Sequence, residues 1–128
     1  MSNQVTGIHH VTLRVADMEQ SVRFYESVLG FDVQRFEDEL AVFTAGSTIV
    51  AIRPPLEGTP DDDRFSEYRI GVDHLALAVP DREALDRALE PLREAGVDTA
   101  GVETDPVLNK EYVAFRDPDN IQLELYCS

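Results

Sequence analysis

The chain has little cysteine, little lysine and no tryptophan. Its single cysteine, Cys127, excludes an internal disulfide framework and is typical of a protein that resides in a reducing compartment. No apolar run approaches the roughly 20 residues that a membrane span requires, and residues 1–7 do not resemble a signal peptide. We therefore expect a soluble cytoplasmic protein with no membrane partner.

Basic residues are scarce as well. Eleven Lys and Arg stand against 25 Asp and Glu, which gives a formal net charge of −14 at pH 7, and Lys110 is the single lysine. A surface this negative repels phosphate backbones, so we expect no nucleic-acid partner. The acidic, lysine-poor surface suits a salt-rich cytoplasm, and an arginine-favouring genome would produce the same composition.

An internal repeat divides the chain into two halves. The segment GIHHVTLRVAD of residues 7–17 returns 64 residues later as GVDHLALAVPD over residues 71–81. Each copy alternates like a strand and ends in an aspartate, Asp17 or Asp81, that can cap a helix. Because 128 residues suffice for one domain, we predict a single domain over 1–128. Module one covers about 7–54, a linker about 55–70, and module two about 71–128.

Each module is predicted to contain a strand, a helix and three further strands. Apolar stripes at helical spacing follow both aspartates, and Gly30 and Gly96 can end the two helices. Pro91 lies inside the second helix and is expected to kink or split it. The linker is expected to be a solvated loop, and the turn Asp117–Asn120 is expected to have a structural role. The fold class is therefore α+β, with two tandem βαβββ modules.

Strand parity places three metal-binding side chains on one side of the predicted sheets. His10, His74 and Glu124 all lie opposite the aliphatic faces, which should pack on the helices. The near-twofold repeat would then bring His10 and His74 to opposite sides of one cleft, whereas His9 is expected to point away. Two histidines and one carboxylate can hold a divalent metal and leave positions open for substrate. The alternative is that the histidines are core residues and Glu124 an ordinary paired carboxylate.

Other polar side chains share the parity of these ligands. Three arginines, Arg14, Arg53 and Arg116, can face the same interior and attract an anion. The alternative is that they pair with surface acids. Tyr112 and Tyr126 are candidate catalytic residues, able to act as acid, base or hydrogen-bond donor, although a tyrosine on a strand mostly packs.

The whole chain resembles the vicinal oxygen chelate superfamily, which includes glyoxalase I, fosfomycin- and bleomycin-resistance proteins and extradiol dioxygenases. The resemblance rests on residues 10–17, 21–31, 73–79 and 115–126. It implies paired βαβββ modules that form an open, cupped mixed sheet with the helices outside. It also implies a divalent metal (Fe, Mn, Zn or Ni) held by His10, His74 and Glu124, and a homodimer.

One position departs from the glyoxalase I pattern. Glyoxalase I has a further acidic ligand at the counterpart of Glu124 in its first module, where this chain has Ala51. Glyoxalase I chemistry is therefore disfavoured. We expect a metal-dependent dioxygenase, lyase or transferase that acts on a small, oxygen-rich, anionic molecule. The alternatives are a metal-free, bleomycin-resistance-like protein that sequesters a small molecule, and a scaffold with a relic metal site.

Overall fold

The computed structural model describes residues 3–128 as eight strands and two helices in two modules. The elements of module one are β1 (His10–Arg14), α1 (Met18–Arg23), β2 (Gln34–Phe36), β3 (Leu40–Ala45) and β4 (Thr48–Arg53). Those of module two are β5 (Leu75–Val79), α2 (Arg82–Glu94), β6 (Val102–Thr104), β7 (Glu111–Arg116) and β8 (Gln122–Cys127). In the described part of the chain no helix is long and apolar enough to cross a bilayer.

Each module forms a four-stranded mixed sheet, and the two sheets have equivalent strand orders. The orders are β1-β4-β3-β2 and β5-β8-β7-β6. In each sheet the first strand pairs in parallel with the last, and the other pairs are antiparallel. This arrangement confirms the predicted α+β fold of two βαβββ modules. Strands β1 and β5 both lie at a sheet edge.

Helix α1 begins where the sequence predicts. The Asp17 carboxylate accepts a hydrogen bond from the backbone N–H of Gln20 at 3.1 Å, which satisfies one of the free donors of the first turn. After Arg23 the helix widens into a π-helical turn over Phe24–Val28. Gly30 then reverses the chain with a φ of 83°, a conformation that favours glycine.

Helix α2 is continuous, so of the two outcomes expected at Pro91, a kink or a split, the split does not occur. The helix runs from Arg82 to Glu94 with Pro91 inside it, and Asp81 caps it by accepting from the N–H of Ala84 at 2.9 Å. A proline removes its own backbone donor, and its ring crowds the carbonyl four residues earlier. Since Pro91 lies in the last turns of the helix, the single lost bond leaves the rest of the ladder intact.

One hydrophobic core extends through both modules. The aliphatic faces of both sheets pack on the helices, with Ile52, Leu85 and Leu123 fully buried. The modules meet where the rings of Phe24 and Phe115 lie 6.3 Å apart. Packing of the apolar strand face is therefore what leaves the other face of each sheet free for polar side chains.

A buried hydrogen bond joins module one to the turn before β8. The Tyr25 hydroxyl donates to Asp117 Oδ2 at 2.7 Å, and both residues are buried. Asp117 Oδ1 accepts from the backbone N–H groups of Asp119 and Ile121. Asp119 in turn accepts from the N–H of Ala16, just before α1. The turn Asp117–Asn120 is thus a junction between the modules.

The linker has no helix or strand, as expected, but it is tied to the same turn. Phe65 donates its backbone N–H to the Asp119 carbonyl, and the Asn120 side chain donates to the Phe65 carbonyl at 3.0 Å. The carboxylate of Glu67 pairs with Arg116. These contacts hold the middle of the linker against module two.

Removing the Tyr25 hydroxyl tests the junction. We expect Tyr25→Phe to lower the free energy of unfolding by about 1–3 kcal/mol, because the buried Asp117 carboxylate loses a donor. Urea denaturation measures the change. Tyr68→Phe is the matched control, since Tyr68 is 93% exposed, and it should change stability by less than about 0.5 kcal/mol. Equal stability of the two variants would contradict the assignment.

The pKa of Asp117 gives a second test. Burial raises the pKa of this carboxyl, and the hydrogen bonds from Tyr25, Ile121 and Asp119 oppose the rise without cancelling it. The folded state therefore favours the protonated form, so its contribution to stability is present at low pH and is lost as pH rises through the folded pKa. We expect the stability of the parent relative to Asp117→Asn to fall as pH rises above the ordinary pKa of an aspartate, about 4. Urea denaturation at a series of pH values measures the difference in stability between the two proteins. A difference that stayed constant or rose with pH would contradict the assignment.

Candidate metal centre

The polar face of the module-two sheet brings His74 and Glu124 together. His74 lies immediately before β5, and Glu124 lies in the middle of β8, where Ala76 and Ala114 are its register partners on the neighbouring strands. Both partners carry only a methyl side chain. His74 Nε2 is 3.5 Å from Glu124 Oε1, with side-chain exposures of 37% and 14%.

The other ring nitrogen of His74 contacts the preceding residue. His74 Nδ1 lies 2.7 Å from Asp73 Oδ1. Because a carboxylate only accepts hydrogen bonds, the proton in this contact belongs to Nδ1. Nε2 then faces Glu124.

His10 lies at the start of the other edge strand and contacts His9. The two Nδ1 atoms are 2.9 Å apart, and the rings meet edge to face with centroids 5.2 Å apart. His9 precedes the first residue of β1, so strand parity does not govern its direction. The sequence places its side chain on the other side of the strand, yet its Nδ1 contacts that of His10.

One chain does not assemble the expected triad. Among residues 3–128, no three His, Cys, Asp or Glu side chains form a group that could hold a metal ion. The structure thus brings together His74 and Glu124 and leaves His10 outside that pair. The predicted triad required the two halves of one chain to face each other across one cleft. The equivalence of two strands does not by itself determine how the halves face each other.

Ala51 occupies the position in module one that Glu124 has in module two. Ala51 pairs with Thr12 in the β1–β4 register, and Glu124 pairs with Ala76 in the β5–β8 register. Thr12 and Ala76 are themselves equivalent in the internal repeat. Module one therefore has no acidic side chain where module two has its carboxylate.

The two candidate tyrosines stack on each other beside Glu124. Tyr112 and Tyr126 are register partners, and their rings are nearly parallel with centroids 5.9 Å apart. Tyr126 donates to Asp105 Oδ2 at 2.8 Å, and burial together with Asp105 raises its pKa to about 12. Burial and then Glu103 and Glu124 raise the pKa of Tyr112. Both phenols are protonated at neutral pH, so they can donate hydrogen bonds but are poor bases.

The three candidate arginines have different surroundings. Arg116 pairs with Glu67 and donates to the Asn120 carbonyl, so a surface acid occupies it, as the structural alternative supposed. Arg14 and Arg53 are register partners on β1 and β4 and share a face with His10. In the described part of the chain no carboxylate lies within salt-bridge distance of either, and Arg14 donates to the Pro54 carbonyl at 2.9 Å.

A cleft of about 740 Å³ runs along β1 under the linker. Arg14 and His74 both line it, together with apolar linker residues such as Leu56 and Phe65. His10 and Glu124 do not line it. The cleft therefore reaches His74, and Arg14 lies along the same cleft.

Sequence reasoning missed two residues of this site, Asp73 and His9. The signal was available, since both precede a candidate ligand and both occupy the same place in the 64-residue repeat. Parity assigned His9 to the opposite face because it was treated as a strand residue, and Asp73 was given no role. The strands begin one or two residues later.

The similarity to known proteins extends over nearly the whole chain. Residues 7–125 match the family model described as the Glyoxalase/Bleomycin resistance protein/Dioxygenase superfamily. A crystal structure of a glyoxylase/bleomycin resistance protein/dioxygenase domain from Frankia sp. EAN1pec superimposes with a TM-score of 0.82 at 30% identity. It covers 98% of this chain and 99% of that one.

The curated relatives with named activities include a metallothiol transferase and a dioxygenase. The metallothiol transferase FosB of Shouchella clausii (strain KSM-K16) is 33% identical over 123 residues, covering 95% of this chain and 80% of that protein. The catechol-2,3-dioxygenase of Bacillus subtilis (strain 168) is also 33% identical over 123 residues, covering 94% of this chain. This chain matches 41% of the length of that dioxygenase.

Proposed function

The chain belongs to the glyoxalase/bleomycin resistance protein/dioxygenase superfamily, and we propose that it is a metal-dependent enzyme acting on a small, anionic, oxygen-rich molecule. The observation that carries the proposal is the separation of 3.5 Å between His74 Nε2 and Glu124 Oε1. The relatives named metallothiol transferase and catechol-2,3-dioxygenase support a transferase or dioxygenase reaction. Glyoxalase I chemistry is disfavoured by Ala51.

The chemistry of the pair fits a divalent metal. Donor atoms about 2.1 Å from a shared tetrahedral ion lie about 3.4 Å apart, close to the observed separation. With its proton on Nδ1, His74 presents a lone pair at Nε2 toward a carboxylate that also bears lone pairs. Two such acceptors repel each other unless a proton or a cation lies between them, and Fe, Mn, Zn or Ni is a suitable cation.

The third ligand in this proposal is His10 of a second copy of the chain. Both edge strands are open on one side, and exposed apolar residues, Ile8 at 64% and Val72 at 72%, precede them at equivalent positions of the repeat. A twofold dimer that sets β1 of one copy against β5 of the other makes the same contact twice. Each such contact would join one His10 to one His74–Glu124 pair.

The remaining polar residues have supporting roles in this site. A divalent ion held there would polarise adjacent substrate oxygens and make them easier to deprotonate. Tyr112, whose phenol is protonated, can donate a hydrogen bond to a substrate beside Glu124. Tyr126 is held by Asp105 and supports Tyr112 through stacking.

We assign binding of the anionic substrate to Arg14 and Arg53. Their register on β1 and β4 places two guanidiniums side by side on the face that carries His10. On a chain of net charge −14, such a pair concentrates positive potential locally. Arg116 is already paired with Glu67, so we assign it to holding the linker.

Metal content tests the proposal. We expect protein purified without an affinity tag or chelator to contain close to one divalent ion per chain, measured by elemental mass spectrometry. Glu124→Ala should lose this metal because the carboxylate is a ligand. Glu90→Ala on α2 is the matched control and should retain it. A parent protein that binds no metal even after reconstitution would contradict the proposed metal-dependent activity. It would favour a protein that sequesters a small molecule.

Subunit complementation tests the division of the site. Neither His10→Ala nor Glu124→Ala should bind metal alone. When the two variants are co-expressed, half the dimers are mixed, and each mixed dimer rebuilds one intact site. We expect about a quarter of the parent metal content per chain.

The control for this experiment uses two ligands from one module. In a mixture of His74→Ala and Glu124→Ala, every His74–Glu124 pair lacks one member, so no intact site can form. Equal metal content in the two mixtures would show that the ligands are not shared between copies.

A further inference from the structure

The residue before each candidate ligand makes the same contact in both modules. Asp73 Oδ1 lies 2.7 Å from His74 Nδ1, and His9 Nδ1 lies 2.9 Å from His10 Nδ1. His9 and Asp73 are equivalent in the internal repeat, as are His10 and His74. The two halves of the molecule therefore hold their imidazoles in a corresponding way, although one uses a carboxylate and the other a second imidazole.

We propose that Asp73 and His9 are positioning residues that keep the proton of each neighbouring imidazole on Nδ1 and leave Nε2 free to bind metal. This inference rests on the proposed function and extends it to residues outside the ligand set. An acceptor on the far nitrogen of a metal-binding histidine fixes its tautomer and ring direction and makes the ring a stronger ligand.

The module-two contact permits one arrangement for a neutral His74. A carboxylate cannot donate, so the proton lies on Nδ1 and the lone pair on Nε2, which faces Glu124 at 3.5 Å.

The module-one contact permits two arrangements. If His10 donates from Nδ1, its Nε2 is available to a metal; if His9 donates, the proton of His10 lies on Nε2 and blocks it. Metal binding therefore selects the first arrangement. Since a neutral imidazole is a weaker acceptor than a carboxylate, His9 should hold its neighbour less firmly than Asp73 does.

Imidazole NMR of the metal-free protein tests the inference without any catalytic assay. The chain has three histidines, so single substitutions assign every ring signal. In two-bond ¹H–¹⁵N spectra at pH 8, we expect the proton of His74 on Nδ1 in the parent protein. In Asp73→Ala the Nε2–H form should become populated. Asp98→Ala, which removes a carboxylate from the exposed loop after α2, is the matched control and should leave His74 unchanged.

The affinity for metal gives a second test of the positioning role of Asp73 and His9. Titration with Zn²⁺ or Mn²⁺ should give a dissociation constant 10- to 100-fold higher, as an order of magnitude, for Asp73→Ala than for the parent. Asp73→Asn keeps a carbonyl acceptor and should recover part of the loss. His9→Ala should have a smaller effect than Asp73→Ala, and His9→Asp, which copies module two, should restore binding.

The outcomes separate this inference from the proposed function. A proton on Nε2 of His74 in the parent, alone or together with one on Nδ1, would overturn the inference. So would an Asp73→Ala variant with the parent's tautomer and metal affinity. A parent that shows the expected tautomer and binds no metal would support the positioning of His74 and overturn the metal-dependent function.

Discussion

The site depends on the register of β8 against β5. That register sets Glu124 opposite Ala76, two residues after His74, so that a rigid sheet holds the imidazole and the carboxylate on one face. A shift of one residue would turn Glu124 toward the core and Leu123 and Leu125 toward solvent. Burial of those leucines against α2 is therefore the force that fixes the chemistry on the opposite face.

The junction between the modules has a comparable role at longer range. The turn Asp117–Asn120 leads directly into β8, and its buried carboxylate is held by Tyr25 of module one. The same turn anchors the linker through Phe65 and sits next to the pairing of Arg116 with Glu67. The strand that carries Glu124 is thus attached to both modules and to the linker, and the linker in turn bounds the cleft beside His74.

Much of this arrangement follows from the sequence, because repeat and parity are local properties of the chain. The 64-residue repeat located β1 and β5, the alternation of Leu123, Glu124 and Leu125 gave the two faces of β8, and Asp17 and Asp81 marked the starts of the helices. Whether α2 would continue through Pro91 was left open, because sequence does not reveal that one lost bond near a helix end is tolerated.

The sequence does not determine how the two modules face each other. Parity assigns a face to each strand but does not determine which faces meet, so the separation of His10 from the His74–Glu124 pair emerged only in three dimensions. The contacts of Asp73 and His9 depend on where each strand begins, because parity assigns faces only to residues inside a strand. Such boundaries are set by the tertiary pairing of the strands.

If two copies of the chain complete one metal site, as we propose, metal binding and association of the chains are linked. A ligand that binds only the dimer must favour the dimer by mass action. Sedimentation equilibrium over a range of protein concentrations, with Zn²⁺ or Mn²⁺ and then with a chelator, measures this linkage. We expect metal to raise the association constant of the parent and to leave that of His10→Ala unchanged. Metal that binds the monomer at full affinity, with no change in association, would contradict it.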